Sequence, residues 1–431
     1  MPREMKDSGF SWIGEVPNSW KVVPVKVAFS EVKTKNSDGA ITNALKFKFG
    51  EIVPKSNFDS ETDDYVADTI LNYTIVEPRT IMINGLNLNY DFKTLRTGLV
   101  KEKGIITSAY LALKPDENII WAEYATYLFK GYETKMAFHN MGSGIRLTLG
   151  FKEFKNQQLL LPTFPEQKTI ADFLDKQCAE IDAVIEHTKA TIEEYKALKQ
   201  SVITEAVTKG IRGDRPMKDS GIEWTDFIAE TWNMSRIGLH FNVILGKMLC
   251  DKQINEEYTL EPYFCAANVH FDGISQADLK QMWFSPSEKS TYCVKNGDLL
   301  VVEGGAGAGG SAIVTNLIAP TYVQNSVMIV RNKKNADNRF LKYWIEMLVR
   351  KGYIDVVCNK ATIPHFTKDK LSTMPYPILC NDEEIEISDY LDQKCAEIDT
   401  LIEKKTALLE EMEALKKSII FEYVTGKKEV V

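Results

Sequence analysis

The sequence contains no apolar run approaching the roughly 20 residues that a membrane helix needs, and no basic, apolar, small-residue leader opens it. It therefore reads as a cytoplasmic protein. Its seven cysteines are scattered, odd in number and free of any CxxC pair, which argues against a disulfide framework and a zinc site. None of the five histidines pairs at metal spacing, so no metal is expected, and HExxH and GxSxG motifs are absent. No Asn or Asp precedes Pro-Pro and an aromatic, the run carried by familiar adenine methyltransferases. Gly304-Gly-Ala-Gly-Ala-Gly-Gly-Ser311, after Leu299-Leu-Val-Val302, imitates a dinucleotide fingerprint at Gly305, Gly307 and Gly310. A phosphate site needs a helix to follow, with its N-terminal amides facing the anion. Ala312-Ile-Val-Thr315 follows instead, with strand character, so the phrase reads as a turn or hairpin loop. No catalytic residue is expected in this chain.

What the sequence does contain is a duplication. Asp172-Phe-Leu-Asp-Lys-Gln-Cys-Ala-Glu-Ile-Asp182 returns as Asp389-Tyr-Leu-Asp-Gln-Lys-Cys-Ala-Glu-Ile-Asp399, with 8 of 11 residues identical at an offset of 217. Both copies read as long amphipathic helices. The first seam runs Ile170, Leu174, Cys178, Ile181, Ile185, Thr188, Ile192, Tyr195, Leu198, Val202, Ala206; the second includes Ile387, Leu391, Cys395, Ile398, Ile402, Leu409, Met412, Leu415, Ile419, Tyr423. Thr163 with Glu166, and Asn381 with Glu384, predict capping boxes at the two starts. Gly210 and Gly426 suit left-handed stops. About 45 residues at 1.5 Å each give a rod of roughly 65 Å. Such a rod needs a partner for its seam, and the chain supplies one, which predicts an antiparallel coiled coil.

The remainder is also written twice, more loosely. Met5-Lys-Asp-Ser-Gly9, Trp12 and Trp20 restart as Met217-Lys-Asp-Ser-Gly221, Trp224 and Trp232, lead-in segments whose tryptophans anchor on a neighbouring surface. Strand-like runs at Thr80–Ile83 and Gly104–Leu113 and a helix at Trp121–Tyr132 answer to Leu299–Val302, Tyr322–Val330 and Arg339–Arg350. The expected class is α+β: two mixed globular modules (1–162 and 214–380) and two long helices (163–213 and 381–431), with pseudo-two-fold internal duplication. The net charge of −8 at first argues against a nucleic-acid partner. Its distribution does not, because residues 166–209 hold nine acids and six bases and residues 382–428 thirteen and seven. The helices thus carry −3 and −6, leaving the rest near neutral. A basic face on a module is permitted.

The lead-in phrase Met5–Gly9 with Trp12, Gly14-Glu-Val-Pro17 and Trp20, the phrase Leu160-Leu-Pro-Thr-Phe-Pro-Glu-Gln167 opening the first rod, and the whole-length duplication together carry a resemblance. The chain resembles the specificity subunit of a type I restriction–modification system. Two phrases depart from the pattern: Cys380-Asn-Asp-Glu-Glu384 replaces Phe-Pro-Glu-Gln, and Asp226-Phe-Ile-Ala229 stands where Gly14–Pro17 stood. The resemblance implies that each globular part is a target-recognition domain reading one half of a bipartite double-stranded DNA sequence. It implies that the helices dock two methyltransferase subunits, which restriction and translocase subunits join. S-adenosylmethionine, ATP and Mg²⁺ would then serve DNA methylation and cleavage in those partners, with no cofactor in this chain.

Base edges are read by Arg, Lys, Asn, Gln and short polar side chains. On that chemistry the candidates in the first module are Asn84, Asn87 and Asn89, and Ser143, Gly144, Arg146 and Thr148. In the second they are Asn325, Ser326, Lys360, Thr362 and His365. The asparagines also suit turns. The competing reading is a coiled-coil scaffold whose globular parts bind protein and not DNA.

Overall fold

The computed structural model describes residues 3–55, 70–90, 95–141, 147–333, 336–358 and 364–430. The chain forms two compact units, Met1–Ala190 with Thr406–Val431, and Thr191–Lys405. Compactness thus groups each globular module with half of each long helix. The principal helices are α1 (Ala122–Glu133), α2 (Phe164–Lys209), α3 (Asn338–Arg350) and α4 (Asn381–Val424). Among the described residues no helix is long and apolar enough to cross a membrane.

In the first unit Phe29–Glu31, Leu111–Pro115, Ile81–Ile83 and Thr97–Leu99 form an antiparallel sheet in that spatial order. Alternation decides its two faces. Ile81 and Ile83 enter the core built on Tyr124, Leu128 and Phe129 of α1 and Leu174 of α2, while Met82 meets Leu45 and Ile52 of a hairpin. Lys21–Pro24 pairs with Gln158–Leu161 just before α2. The second unit repeats the order with Phe241–Leu245, Val327–Asn332, Leu299–Val302 and Ser311–Ile313. Leu299 and Val301 pack toward α3 and Leu391 of α4, and Leu300 and Val302 toward Phe264 and Val323. Asn233–Arg236 with Pro375–Ile378 stands where the first unit has its strand pair.

Two expected strand runs break. Gly104–Ile106 pairs with Thr74–Val76 and Leu111–Pro115 with the main sheet, with a turn closed by Tyr110 N–H on Thr107 O between them. Tyr322–Val323 runs parallel to Tyr263–Phe264, and Gln324-Asn-Ser326 turns the chain into Val327–Asn332. Polar turn formers inside each run override its apolar ends. The glycine phrase is a hairpin turn, because Ser311–Ile313 pairs back on Leu299–Val301.

Within each unit, halves of α2 and α4 meet antiparallel. In the first, Phe173 meets Tyr423 nine residues before Asp182 meets Lys416; in the second, Lys199 meets Asp399 before Arg212, just past α2, meets Glu386. Lys416 Nζ lies 2.6 Å from Asp182 Oδ1, and Lys199 Nζ 2.6 Å from Asp399 Oδ2. Each pair is the other's copy, moved by 217. Leu174, Ile181, Ile185, Ile192, Leu391 and Ile398 are buried, while Tyr195, Ile402, Leu409 and Met412 are half-buried. Leu198 and Leu415 depart from the expected seam and stand 48% and 42% exposed, with Ile203 and Ile420 buried instead. A strict three–four alternation drifts against 3.6 residues per turn, and here the stripe has moved one position on.

The starts of the long helices also differ from the capping boxes expected. Glu166 turns to Arg3 (2.7 Å) and Glu383 to Arg215 (2.6 Å). The next residue in each copy reaches sideways into its module. Gln167 Oε1 accepts the Trp121 N–H (2.8 Å) at the N-cap of α1, and Glu384 Oε2 accepts the Asp337 N–H (2.6 Å) at the N-cap of α3. Tyr127 of α1 donates to Asp175 and Tyr343 of α3 to Asp392, each at 2.7 Å, and burial pushes both phenols up. Trp20 and Trp232 are buried. Gly426, at φ +68°, closes α4 where a Cβ would lie 2.3 Å from Pro17 Cδ. A side chain there would displace the first lead-in.

Glu384 is the one ionisable member of the Gln167/Glu384 pair. Burial pushes its carboxyl from 4.5 up to about 7, against the bonds from Tyr376 OH and Asp337 N–H. A folded pKa above the unfolded one gives stability that is complete below about pH 4.5 and lost as pH rises through 7. Glu384→Gln copies the other half of the molecule. It should leave the melting temperature near pH 5 almost unchanged and raise it at pH 8, by on the order of 2 kcal/mol of stability. A pH-independent change in the thermal melt would contradict this assignment.

Candidate nucleic-acid interface

Each module brings its described candidate residues to one place in the fold. There the loop leaving Ile81–Ile83 or Leu299–Val302 meets the chain that enters the short helix Phe151–Phe154 or Lys368–Thr373. In the first module Leu149 N–H donates to Gly85 O (2.9 Å) and Leu88 N–H to Leu147 O (3.2 Å). A Cβ on Gly85 would sit 2.4 Å from Leu149 O, so this approach requires glycine. The Asn84–Asn89 loop and Thr148 thereby become neighbours. Ser143, Gly144 and Arg146 lie outside the described residues.

The asparagines have unequal freedom. Asn84 Oδ1 accepts Leu86 N–H (3.2 Å), a turn bond. Asn87 is exposed at φ +51°, its carbonyl accepting Tyr90 N–H (3.1 Å). Asn89 is half-buried and Thr148 exposed. Asn87 and Thr148 are thus the exposed members of the set. Beneath them lies a residue the sequence reading missed. Arg96 is 1% exposed, and its Nη1 donates to Asn84 O (2.9 Å) and Leu86 O (2.8 Å). Its own N–H donates to Glu133 Oε2 (2.8 Å), a carboxyl that burial pushes up. A buried guanidinium bracing two carbonyls fixes the loop from within. Its acceptors lie 10 and 12 residues away, and no local pattern announces them.

The second module builds the same place differently. Gly305 N–H donates to Pro364 O (3.2 Å) and Phe366 N–H to Glu303 O (2.6 Å), bringing the exposed His365 beside the glycine loop. His365 Nδ1 lies 3.4 Å from Glu303 Oε2, and Glu303 N–H donates to Ser326 O (2.8 Å). The loop is braced by its own backbone, Val302 N–H to Gly310 O (2.8 Å) and Gly309 N–H to Val302 O (3.0 Å). Asn325 and Ser326 hold the adjoining turn. Asn325 Oδ1 accepts from Gln324 Nε2 (2.6 Å), and Ser326 Oγ accepts the Ala266 N–H (3.0 Å) and donates to Gln324 Oε1. Asn325 Oδ1 and Ser326 Oγ are thus engaged in the turn, which leaves His365, its side chain 62% exposed, as the outward polar residue with the half-buried Glu303 beside it. Lys360 and Thr362 lie outside the described residues. Among the described residues no group of His, Cys, Asp and Glu could hold a metal ion.

Residues 97–194 match the sequence model of the type I restriction modification DNA specificity domain. A protein of Methanocaldococcus jannaschii named as the MjaX type I restriction enzyme specificity subunit is 24% identical, across 96% of this chain and 95% of its own length. The MjaVIII type I restriction enzyme specificity subunit of the same organism is 22% identical, across 96% and 93%. A chain from a structural study of assembly and conformational transition in a type I restriction–modification system shares the fold with a TM-score of 0.71 at 14% identity, covering 96% of this chain and 99% of that one. The HsdS subunit of Thermoanaerobacter tengcongensis gives 0.53 at 14% identity, covering 96% and 98%. Residues 97–194 thus carry a type I restriction modification DNA specificity domain, and over nearly its whole length the chain is similar to specificity subunits of type I restriction–modification systems and shares the fold of solved type I chains.

Proposed function

We propose that each module reads one half of a bipartite DNA target, and that the long helices set the spacer and dock two methyltransferase subunits. The observation that carries this reading is one frame presenting two different loops at the same place. Asn87 and Thr148 stand where the other module has Glu303 and His365. Two enzymatic sites made by duplication would keep their polar residues, whereas two readers of different sequences would change them. The chain is non-catalytic in this reading. Methyl transfer with S-adenosylmethionine, and ATP- and Mg²⁺-dependent translocation and cleavage, belong to partner subunits in the cytoplasm.

The helices supply a second line of support. Val184 and Leu401, and likewise Leu198 and Leu415, are equivalent at 217 residues, and all four are exposed. Each unit therefore shows one apolar residue from each helix outside its seam, as two copies of one docking partner would require. Leu198→Asp or Leu415→Asp should each weaken binding of modification subunits in a co-purification, and the double variant should abolish it. The chain's circular dichroism should stay unchanged, because neither side chain is in the core. Undiminished co-purification by the double variant would place the docking surface elsewhere.

The reading itself is tested by mapping adenine methylation genome-wide in a host that expresses the chain with a modification partner. Exchanging residues 21–160 for another module should change one half of the methylated sequence and leave the other half intact. Change in both halves, or in neither, counts against two independent readers. A module that bound protein would leave the methylated sequence untouched.

A further inference from the structure

We propose that Phe49, at the tip of a hairpin in the first module, is an aromatic wedge that inserts between base pairs of duplex DNA. The proposal rests on the DNA-reading function above and names one residue that would distort the half-site read by that module.

Leu45–Lys48 pairs with Glu51–Pro54, Lys48 opposite Glu51, leaving Phe49 and Gly50 as a two-residue turn. Their φ values are +48° and +79°. Such turns want left-handed residues at both positions and favour Asn-Gly. A bulky side chain in the left-handed region is an outlier, and outliers of this kind gather at functional sites. Burial of the ring would offset the strain, but Phe49 is 78% exposed. The strand on which it stands is firmly packed. Leu45 and Ile52 are buried, and Phe47 meets the edge of Tyr110 at 5.5 Å. Gly98 lets the hairpin lie close, since a Cβ there would be 3.0 Å from Ile52 and 3.2 Å from Phe47. At the tip, a Cβ on Gly50 would be 2.9 Å from Leu95. An exposed ring is thus held out on a supported turn.

Charge selects the partner. Lys46 and Lys48 precede the ring and Lys55 follows the hairpin, against the single acid Glu51 within residues 45–55. Cationic side chains on the strand suit phosphates, and an apolar tip between them suits a base step. The second module carries a different insert in that part of its order, Thr259–Phe264 paired with Lys280–Phe284. Distortion of the DNA should therefore be confined to one half-site.

The test uses the chain assembled with its modification partner and a short duplex carrying the target mapped as above, with 2-aminopurine placed at each position in turn. In the wild-type complex, fluorescence should rise at one step within the half assigned to the first module. Phe49→Ala should abolish that rise and weaken binding about tenfold. The slope of log affinity against log salt should not change, because the lysines remain. Phe49→Asn, which suits the turn better, should melt no lower than the wild type and still lose the signal. An unchanged 2-aminopurine profile and affinity in Phe49→Ala overturns the wedge while leaving the reading of DNA intact. Weaker binding without any rise in the wild type also overturns insertion. A wild-type complex that binds no duplex DNA overturns the proposed function and the wedge together.

Discussion

Each module is held to its helix pair by a side chain at the start of a long helix that accepts the backbone N–H at the N-cap of the module's own helix. Gln167 does this for Trp121 and Glu384 for Asp337. Both acceptors are buried, so an unmade bond there would leave a polar group without water, at about 1–3 kcal/mol. The second tie is the phenol–carboxylate bond, Tyr127 to Asp175 and Tyr343 to Asp392. Together they fix where the module helix stands on the long helix. The sheet packed on that helix, and the loops leaving the sheet, take their positions from it.

That constraint explains an apparent mismatch in the sequence. The long helices are almost copied, whereas the modules share few residues, yet the two main sheets have the same strand order. The ties sit on the helices and on one face of the module helix, where both halves must meet the same partner groups. Core positions behind them need only apolar bulk, which Phe, Ile, Leu, Val and Trp supply interchangeably at fixed volume. The far face of each sheet is covered by different inserts, Met82 by the Leu45–Pro54 hairpin and Leu300 by Phe264 and Val323. Change is tolerated most where the chain faces outward. One loop is braced by a buried arginine and the other by its own glycine-rich backbone.

Much of the frame was legible in the sequence, because periodicity and duplication are long-range signals repeated over many residues. The seam at Leu174, Ile181, Leu391 and Ile398, the module helices near 122 and 338, and the left-handed stops at Gly210 and Gly426 all follow from pattern. Local rules failed where a tertiary partner outbid them. Glu166 and Glu384 satisfy the letter of a capping box, but Arg3 and Asp337 claim their carboxylates. Leu198 fits the alternation and yet is exposed, because the stripe had drifted. In the candidate site, chemistry alone picked Asn84, Asn325 and Ser326, which the structure uses in turns. Arg96, Glu303 and Phe49 escaped notice, since each gains its significance from neighbours distant in sequence or from exposure that composition does not reveal.

The central claim is that two copied helices carry two unlike reading modules at a set separation. It is tested most directly by inserting one heptad after Ala190 and another after the equivalent Ala407, a length that keeps the apolar seam in phase. Seven residues add about 10 Å of helix, or roughly three base pairs of duplex. Methylation mapped in the host should show both half-sites unchanged and the spacer longer by about that amount. A spacer of the original length, with methylation retained, would contradict the account.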